Sequence, residues 1–232
     1  MGGDDFGHRV SRLSALAEPV RRALYRFVVT QPGPVSRDQA SDGVGVARHT
    51  AKFHLDKLVD EGLLTTEFRR LTGRSGPGAG RPTKLYSRSP QEVAVSVPER
   101  HYALAGQLMA RAIDDAARTG TDVMTALRDA AAQHGRTLGG QVADAAGPGA
   151  SRTAVLDAVC STLAAQGYEP RLADGVVTLA NCPFHTLARE HTALVCGMNL
   201  ALLSHVADES SGGLTATLDP EPGRCCVTLA AD

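Results

Sequence analysis

Residues 35–64 read "VSRDQASDGVGVARHTAKFHLDKLVDEGLL", and this stretch decides the fold. Ser36 is a helix N-cap, and a short helix runs from it to about Ser41. "DGVG" at residues 42–45 is a turn. A longer helix runs from about Val46 to Glu61 and ends at Gly62, a residue type that favours the position just past a helix. A short helix, a Gly-bearing turn and a longer helix make a helix-turn-helix unit. On the second helix Ala47, Ala51, Leu55 and Leu58 form the inward stripe. The opposite face presents Arg48, His49, Thr50, Lys52, Phe53, Asp56 and Lys57. A phenylalanine among basic residues makes a poor solvated surface but suits a base edge or a thymine methyl. The alternative is an ordinary amphipathic helix that keeps Phe53 partly buried.

Upstream, "SRLSALAEPVRRALYRFVVTQPG" at residues 11–33 has Leu13, Leu16, Val20, Leu24 and Phe27 at helical spacing. Pro19 predicts a break near Glu18, with a new helix starting there. Downstream, residues 63–89 read "LLTTEFRRLTGRSGPGAGRPTKLYSRS". Leu64–Phe68 and Lys84–Ser87 are predicted strands. The Gly-, Pro- and Arg-rich loop between them is the wing of a winged helix. Its Arg74, Arg81 and Lys84 are placed to reach phosphates or a minor groove.

The charge distribution agrees. Residues 1–89 hold 15 Lys/Arg against 9 Asp/Glu, whereas residues 90–232 hold 9 against 16. A basic front half on an acidic back half is the footprint of a nucleic-acid module joined to something else. The few lysines beside abundant Arg and Ala fit a GC-rich bacterial genome. No run approaches a membrane span, and "MGGDDFGHRV" lacks a signal-peptide core, so a cytoplasmic protein is expected. Five cysteines in such a chain point to metal, redox chemistry or burial rather than a disulfide framework.

"VARHTAKFHLDKLVDEGLL" followed by "GRPTKLYSRS" resembles the winged helix of bacterial repressors of the arsenical-resistance (ArsR) and DeoR types, over residues 10–90. Such repressors read palindromic operators as dimers. The next segment, "PERHYALAGQLMARAIDDAARTG", has Tyr102, Ala105, Met109, Ala112 and Ala116 at spacings of 3 and 4. That seam of small residues is assigned to a homodimer, the alternative being packing within one chain. "TDVMTALRDAAAQHGRTLGGQVADAAG" continues as helix with Thr121 as its cap, and "GPG" at 147–149 marks a boundary.

The remainder reads as helix, hairpin, helix, hairpin: an α/β unit with a small antiparallel sheet. Its cysteines are spread over several elements. Cys160 lies in the first helix, as a structural thiol. Cys182 follows a strand and precedes Pro183. Cys196 shares a helical stripe with Leu200 and Leu203. In the last strand Cys225 alternates with Val227 and Leu229, so Cys226 points the other way. A turn, a helix and a strand can thus bring three thiols together, at separations too long for a zinc finger or ribbon. Thiolates favour iron–sulfur clusters, Zn²⁺ or Cu(I). His185 and His191 are further ligand candidates, as is Cys226. "CPFH" also sets a Cys near a His, but without a Gly-rich oxyanion loop no enzyme is expected.

"CPFH", "HTALVC" and "RCCVTL" resemble the Suf repressor family, winged-helix regulators of iron–sulfur cluster biogenesis. The resemblance implies a cluster, [4Fe-4S] by preference and zinc as the alternative, on Cys182, Cys196 and Cys225. The expected protein is α+β: a winged helix at 1–90, a helical dimerisation linker at 91–148 and a cysteine-bearing sensor at 149–232. Its expected function is repression under cluster control. Zinc, thiol-redox or small organic-ligand sensing are the alternatives.

Overall fold

The computed structural model describes residues 3–70 and 81–231; the central part of the expected wing, with Arg74, lies outside them. The chain forms two compact units that divide between Val95 and Ser96.

The N-terminal unit begins with α1 (Gly3–Ser14) and a short 3₁₀ turn (Ala15–Ala17). The predicted break at Glu18 is a cap. The Glu18 carboxylate accepts the backbone N–H of Val20 at 3.0 Å and of Arg21 at 2.5 Å. Pro19 then opens α2 (Pro19–Thr30), where its missing N–H costs nothing. After β1 (Val35–Ser36), α3 (Arg37–Val44) starts with a capping box. Ser36 accepts from the Gln39 N–H while the Gln39 side chain accepts from the Ser36 N–H. Gly45 ends α3 at φ 73°, a left-handed conformation suited to glycine. The turn leads into α4 (Arg48–Asp60).

Strands β2 (Leu64–Arg69) and β3 (Thr83–Arg88) pair antiparallel, Thr66 opposite Tyr86, and β1 joins the far side of β3. Leu24, Val28, Ala40, Ala51, Leu55, Leu58, Leu64 and Tyr86 fill the core beneath. This is a winged helix-turn-helix. Ala47 departs from its expected inward place: it is the exposed N-cap residue of α4, because the helix begins at Arg48 rather than near Val46.

The C-terminal unit holds α5 (Tyr102–Thr119), α6 (Val123–Ala146), α7 (Arg152–Ala165), β4 (Pro170–Ala173) and β5 (Val176–Leu179). It continues through α8 (His185–Glu190), α9 (Thr192–Glu209), β6 (Leu214–Leu218) and β7 (Val227–Ala231). The sheet order is β4-β5-β7-β6, antiparallel throughout. Asp122, rather than Thr121, caps α6 by accepting the Thr125 N–H.

The helices expected at 91–148 as a separate linker belong to this unit. Ala105, Leu108 and Ala112 of α5 share one core with Ala126, Leu127 and Ala130 of α6 and with Val177 and Leu179 of the sheet. The Ala105–Ala112 seam therefore packs within the chain, since its small side chains let α5 lie close against its neighbours. Helix α6 also approaches α9 closely. A Cβ on Gly135 would fall 2.1 Å from the Leu202 carbonyl oxygen, and one on Gly139 2.5 Å from Glu209 Cβ.

Candidate nucleic-acid interface and candidate sulfur site

In the N-terminal unit α4 exposes Arg48, His49, Lys52, Phe53 and Lys57, with Thr50 half-buried. Phe53 is 65% exposed, so the solvent-facing reading of that residue holds. It meets the edge of the His54 ring, 5.2 Å between centroids. The second exposed aromatic, Phe68, sits opposite Lys84 in the β2–β3 pairing and is also 65% exposed. It lines a groove between α4 and the strands together with Lys52, Asp56, Arg81 and Lys84.

At the floor of this groove Asp56 gathers three donors. Lys84 Nζ reaches one oxygen at 2.7 Å, the Tyr86 hydroxyl reaches the same oxygen at 3.0 Å, and Lys52 Nζ reaches the other at 3.0 Å. Burial works to raise the Asp56 pKa. Donation from Lys84, Lys52 and Tyr86 outweighs it, and the carboxyl is held below its ordinary value. Burial and the facing Asp56 carboxylate push the Tyr86 phenol up. Lys84, expected to meet phosphate, and Lys52, expected on the base-facing surface, are thus tied to one carboxylate on α4. The sequence carries a signal for this: Lys52 and Asp56 stand at i,i+4, a helical ion-pair spacing.

In the C-terminal unit four of the five cysteines meet. Their thiols act on one another's protonation in sequence, Cys182 with Cys225, Cys225 with Cys226, and Cys226 with Cys196. Cys182 stands in the turn after β5, Cys196 on α9, and the vicinal pair just before β7. The expectation that Cys226 points away does not hold. The pair lies just before β7, which starts at Val227, and Cys226 is half-buried against the core rather than turned fully outward.

Donation from the Cys182 thiol, then from Cys226, holds the Cys225 sulfur far below the ordinary thiol range. The same contact with Cys225 comes first in pushing Cys182 and Cys226 up, with burial second. A polar relay lies behind Cys225: the Tyr168 hydroxyl donates to Asn199 Oδ1 at 2.5 Å, and Asn199 Nδ2 donates to Cys225 Sγ at 3.3 Å. All three residues are buried in an otherwise apolar core.

Cys160 stays on α7, where burial and then the Asp157 charge push its thiol up. His185 and His191 stand at the two ends of α8 and are exposed. Among the described residues no three His, Cys, Asp or Glu side chains stand in a ready-made metal cage. The sulfurs are in a chain and have not converged around one point.

The turn carrying Cys182 is itself held. Asn181, 6% exposed, donates to the carbonyls of Glu99 at 2.9 Å and Gly167 at 2.6 Å. Arg100 Nη1 donates to Asn181 Oδ1 and to the Cys182 carbonyl, the latter at 3.2 Å. No feature of residues 98–101 read as sequence points to this role.

A helix-turn-helix domain family matches residues 16–67. The match ends before the wing loop and does not reach the cysteines, so it supports the winged helix and not the Suf repressor assignment. No curated protein sequence matches the chain. A solved structure of human N-acetylserotonin methyltransferase in complex with SAM is similar at 16% identity and a TM-score of 0.26. That similarity covers 66% of this chain, which spans about half (52%) of the methyltransferase. At that score the likeness carries no argument. No helix among the described residues is long and apolar enough to cross a membrane. The N-terminal unit gives the protein the character of a DNA-binding transcriptional regulator.

Proposed function

We propose that the protein is a homodimeric repressor whose operator binding is set by an iron–sulfur cluster in its C-terminal unit. The observation that carries this reading is the sulfur chain. Four cysteines from a turn, a helix and a bend gather in one region, Cys182 and Cys225 buried and Cys196 and Cys226 half-buried. A thiolate there is costly to bury unless a cation pairs with it. All-sulfur donors suit a cluster, with Zn²⁺ as the alternative. Cys182, Cys196 and Cys225 are the ligands by resemblance to the Suf repressor family. Cys226 is as well placed as Cys225 for the third position. The cluster, [4Fe-4S] by preference, would supply oxygen- and iron-sensitive chemistry.

Thiol-redox sensing is the second reading, and the two buried thiols of Cys182 and Cys225, each acting on the other's protonation, favour it. On the DNA side, α4 enters the major groove with Arg48, His49 and Phe53 toward the bases, while Arg81 and the wing meet the backbone. Two copies would read a palindrome with half-sites about 10–11 bp apart or a multiple of that. With the α5 seam occupied internally, the second copy is assigned to α1, where Phe6, Val10 and Leu13 form an exposed apolar stripe.

Anaerobic purification with an absorption spectrum and an assay of iron and sulfide tests the reading. Iron and sulfide with visible absorption support the cluster. A colourless protein holding zinc, or no metal, removes it and leaves DNA binding in place.

A further inference from the structure

The chain leaves its N-terminal unit at Val95 and enters the C-terminal unit at Ser96. Residues 96–101 form neither helix nor strand before α5 begins. They are tied by hydrogen bonds to the turn that carries Cys182.

The ties are dense. Arg100 donates to the Asn181 side chain and to the Cys182 carbonyl. Asn181 donates back to the Glu99 carbonyl, and the His101 N–H donates to the Pro183 carbonyl at 3.0 Å. The Tyr102 hydroxyl reaches Thr186 Oγ1 at 2.9 Å. Gly167 completes the seat. Its φ is +77°, and a Cβ there would fall 3.2 Å from Glu99 Cβ and 3.3 Å from the His101 ring. The Asn181 side chain and the Cys182 and Pro183 carbonyls are therefore bonded to the arm through which the chain enters this unit.

We propose that Arg100 and Asn181 are positioning residues that couple the state of the sulfur site to the segment leading from the DNA-binding unit. The proposal rests on the reading that the sulfur site takes up a cluster. No three of these side chains form a ready-made cage among the described residues, so a convergent ligand set requires at least one sulfur to move. Cys182 stands on a turn, and the arm is bonded to that turn's backbone, so a shift at Cys182 is passed to residues 99–101. A ligand that favours one position of the turn thereby biases the arm, and the coupling is reciprocal.

The experiment uses the full chain, stripped of metal or reconstituted anaerobically with iron and sulfide. Its DNA probe is a duplex that the wild-type protein selects from random sequence. In the wild type the loaded and stripped forms should differ in DNA affinity by about 5–150-fold. Hydrogen exchange in residues 96–102 should change on loading. In Arg100→Met the protein should keep its iron and visible absorption while the affinity ratio falls toward one. Arg100→Lys, which keeps a donor, should restore part of the ratio and guards against a folding defect in the first variant. A full wild-type ratio in Arg100→Met, or exchange in 96–102 that ignores loading, overturns the coupling and leaves the cluster standing. Failure of the wild type to take up iron and sulfide overturns both.

Discussion

Asn199 on α9 donates its side-chain amide to the sulfur of Cys225, and Tyr168 fixes the direction of that amide by donating to its oxygen. With the oxygen engaged, the N–H faces the sulfur, which suits an anionic or metal-bound sulfur rather than a thiol. Hydrogen bonds to ligating groups commonly change metal affinity by about 10–100-fold when removed. Asn199→Leu should lower retention of iron, or of zinc, by that order against a chelator. Tyr168→Phe should have a smaller effect in the same direction. Unchanged retention in Asn199→Leu would show that the relay only fills the core.

Replacing single cysteines by serine separates the sulfur chain from the isolated thiol. Cys182→Ser and Cys196→Ser should lose the visible absorption, and Cys160→Ser should keep it. Cys226 bridges Cys225 to Cys196, so Cys226→Ser should weaken the site as well. Iron and sulfide per chain are the measurement, and full retention in Cys196→Ser would sink the ligand assignment.

Asp56 makes the DNA surface pH- and charge-sensitive. Its folded pKa is lowered, so its contribution to stability is present above the ordinary carboxylate range and is lost as pH falls through the folded value. Thermal melts between roughly pH 5 and pH 2 should show that loss in the wild type and a flatter profile in Asp56→Asn. The same variant frees Lys52 and Lys84 for phosphate. Non-specific DNA binding should tighten, and the salt slope should steepen by about 0.9 for each additional phosphate neutralised.

Arg81→Ala should weaken binding to all sequences alike and flatten the salt slope by about 1. Arg48→Ala or His49→Ala should instead relax sequence preference, at about 1–3 kcal/mol for each base no longer read. Competition titrations at several salt concentrations distinguish the two patterns.

Charge in the α5 seam and on the α1 stripe should act differently. Ala105 is fully buried among α5, α6 and the sheet, so Ala105→Glu places a carboxylate in the core and should unfold the C-terminal unit. Val10→Glu or Leu13→Glu should give folded monomers. Sedimentation together with circular dichroism checks both, and an unchanged dimer in the α1 variants moves the interface elsewhere.

The winged helix is legible in sequence because its signals are local. A serine three residues before a glutamine, a glycine turn and a 3–4 apolar stripe each act within one element. The break at Glu18 is equally local, since proline dictates what precedes it. The C-terminal unit is readable as elements but less so as packing. A stripe such as Ala105–Ala112 looks alike whether it faces α6 or a second copy, because both partners demand small residues. Alternation turns Cys226 outward, but it does not report that an outward side chain at the end of a strand is still half-buried against the core. The Arg100–Asn181 tie spans 81 positions of sequence and has no periodicity to announce it.

The glycines of α6 give the sulfur site an unequal stiffness. With no side chain at Gly135 and Gly139, α9 is seated against α6 backbone to backbone, and a rigid rod therefore carries Cys196 and Asn199. The opposite sulfur, Cys182, hangs from a turn that hydrogen bonds hold in place. One wall of the site is stiffened by backbone packing within the helix layer and the other by hydrogen bonds to the residues just before α5, so a substitution at Gly139 and one at Arg100 would loosen opposite sides of the same site.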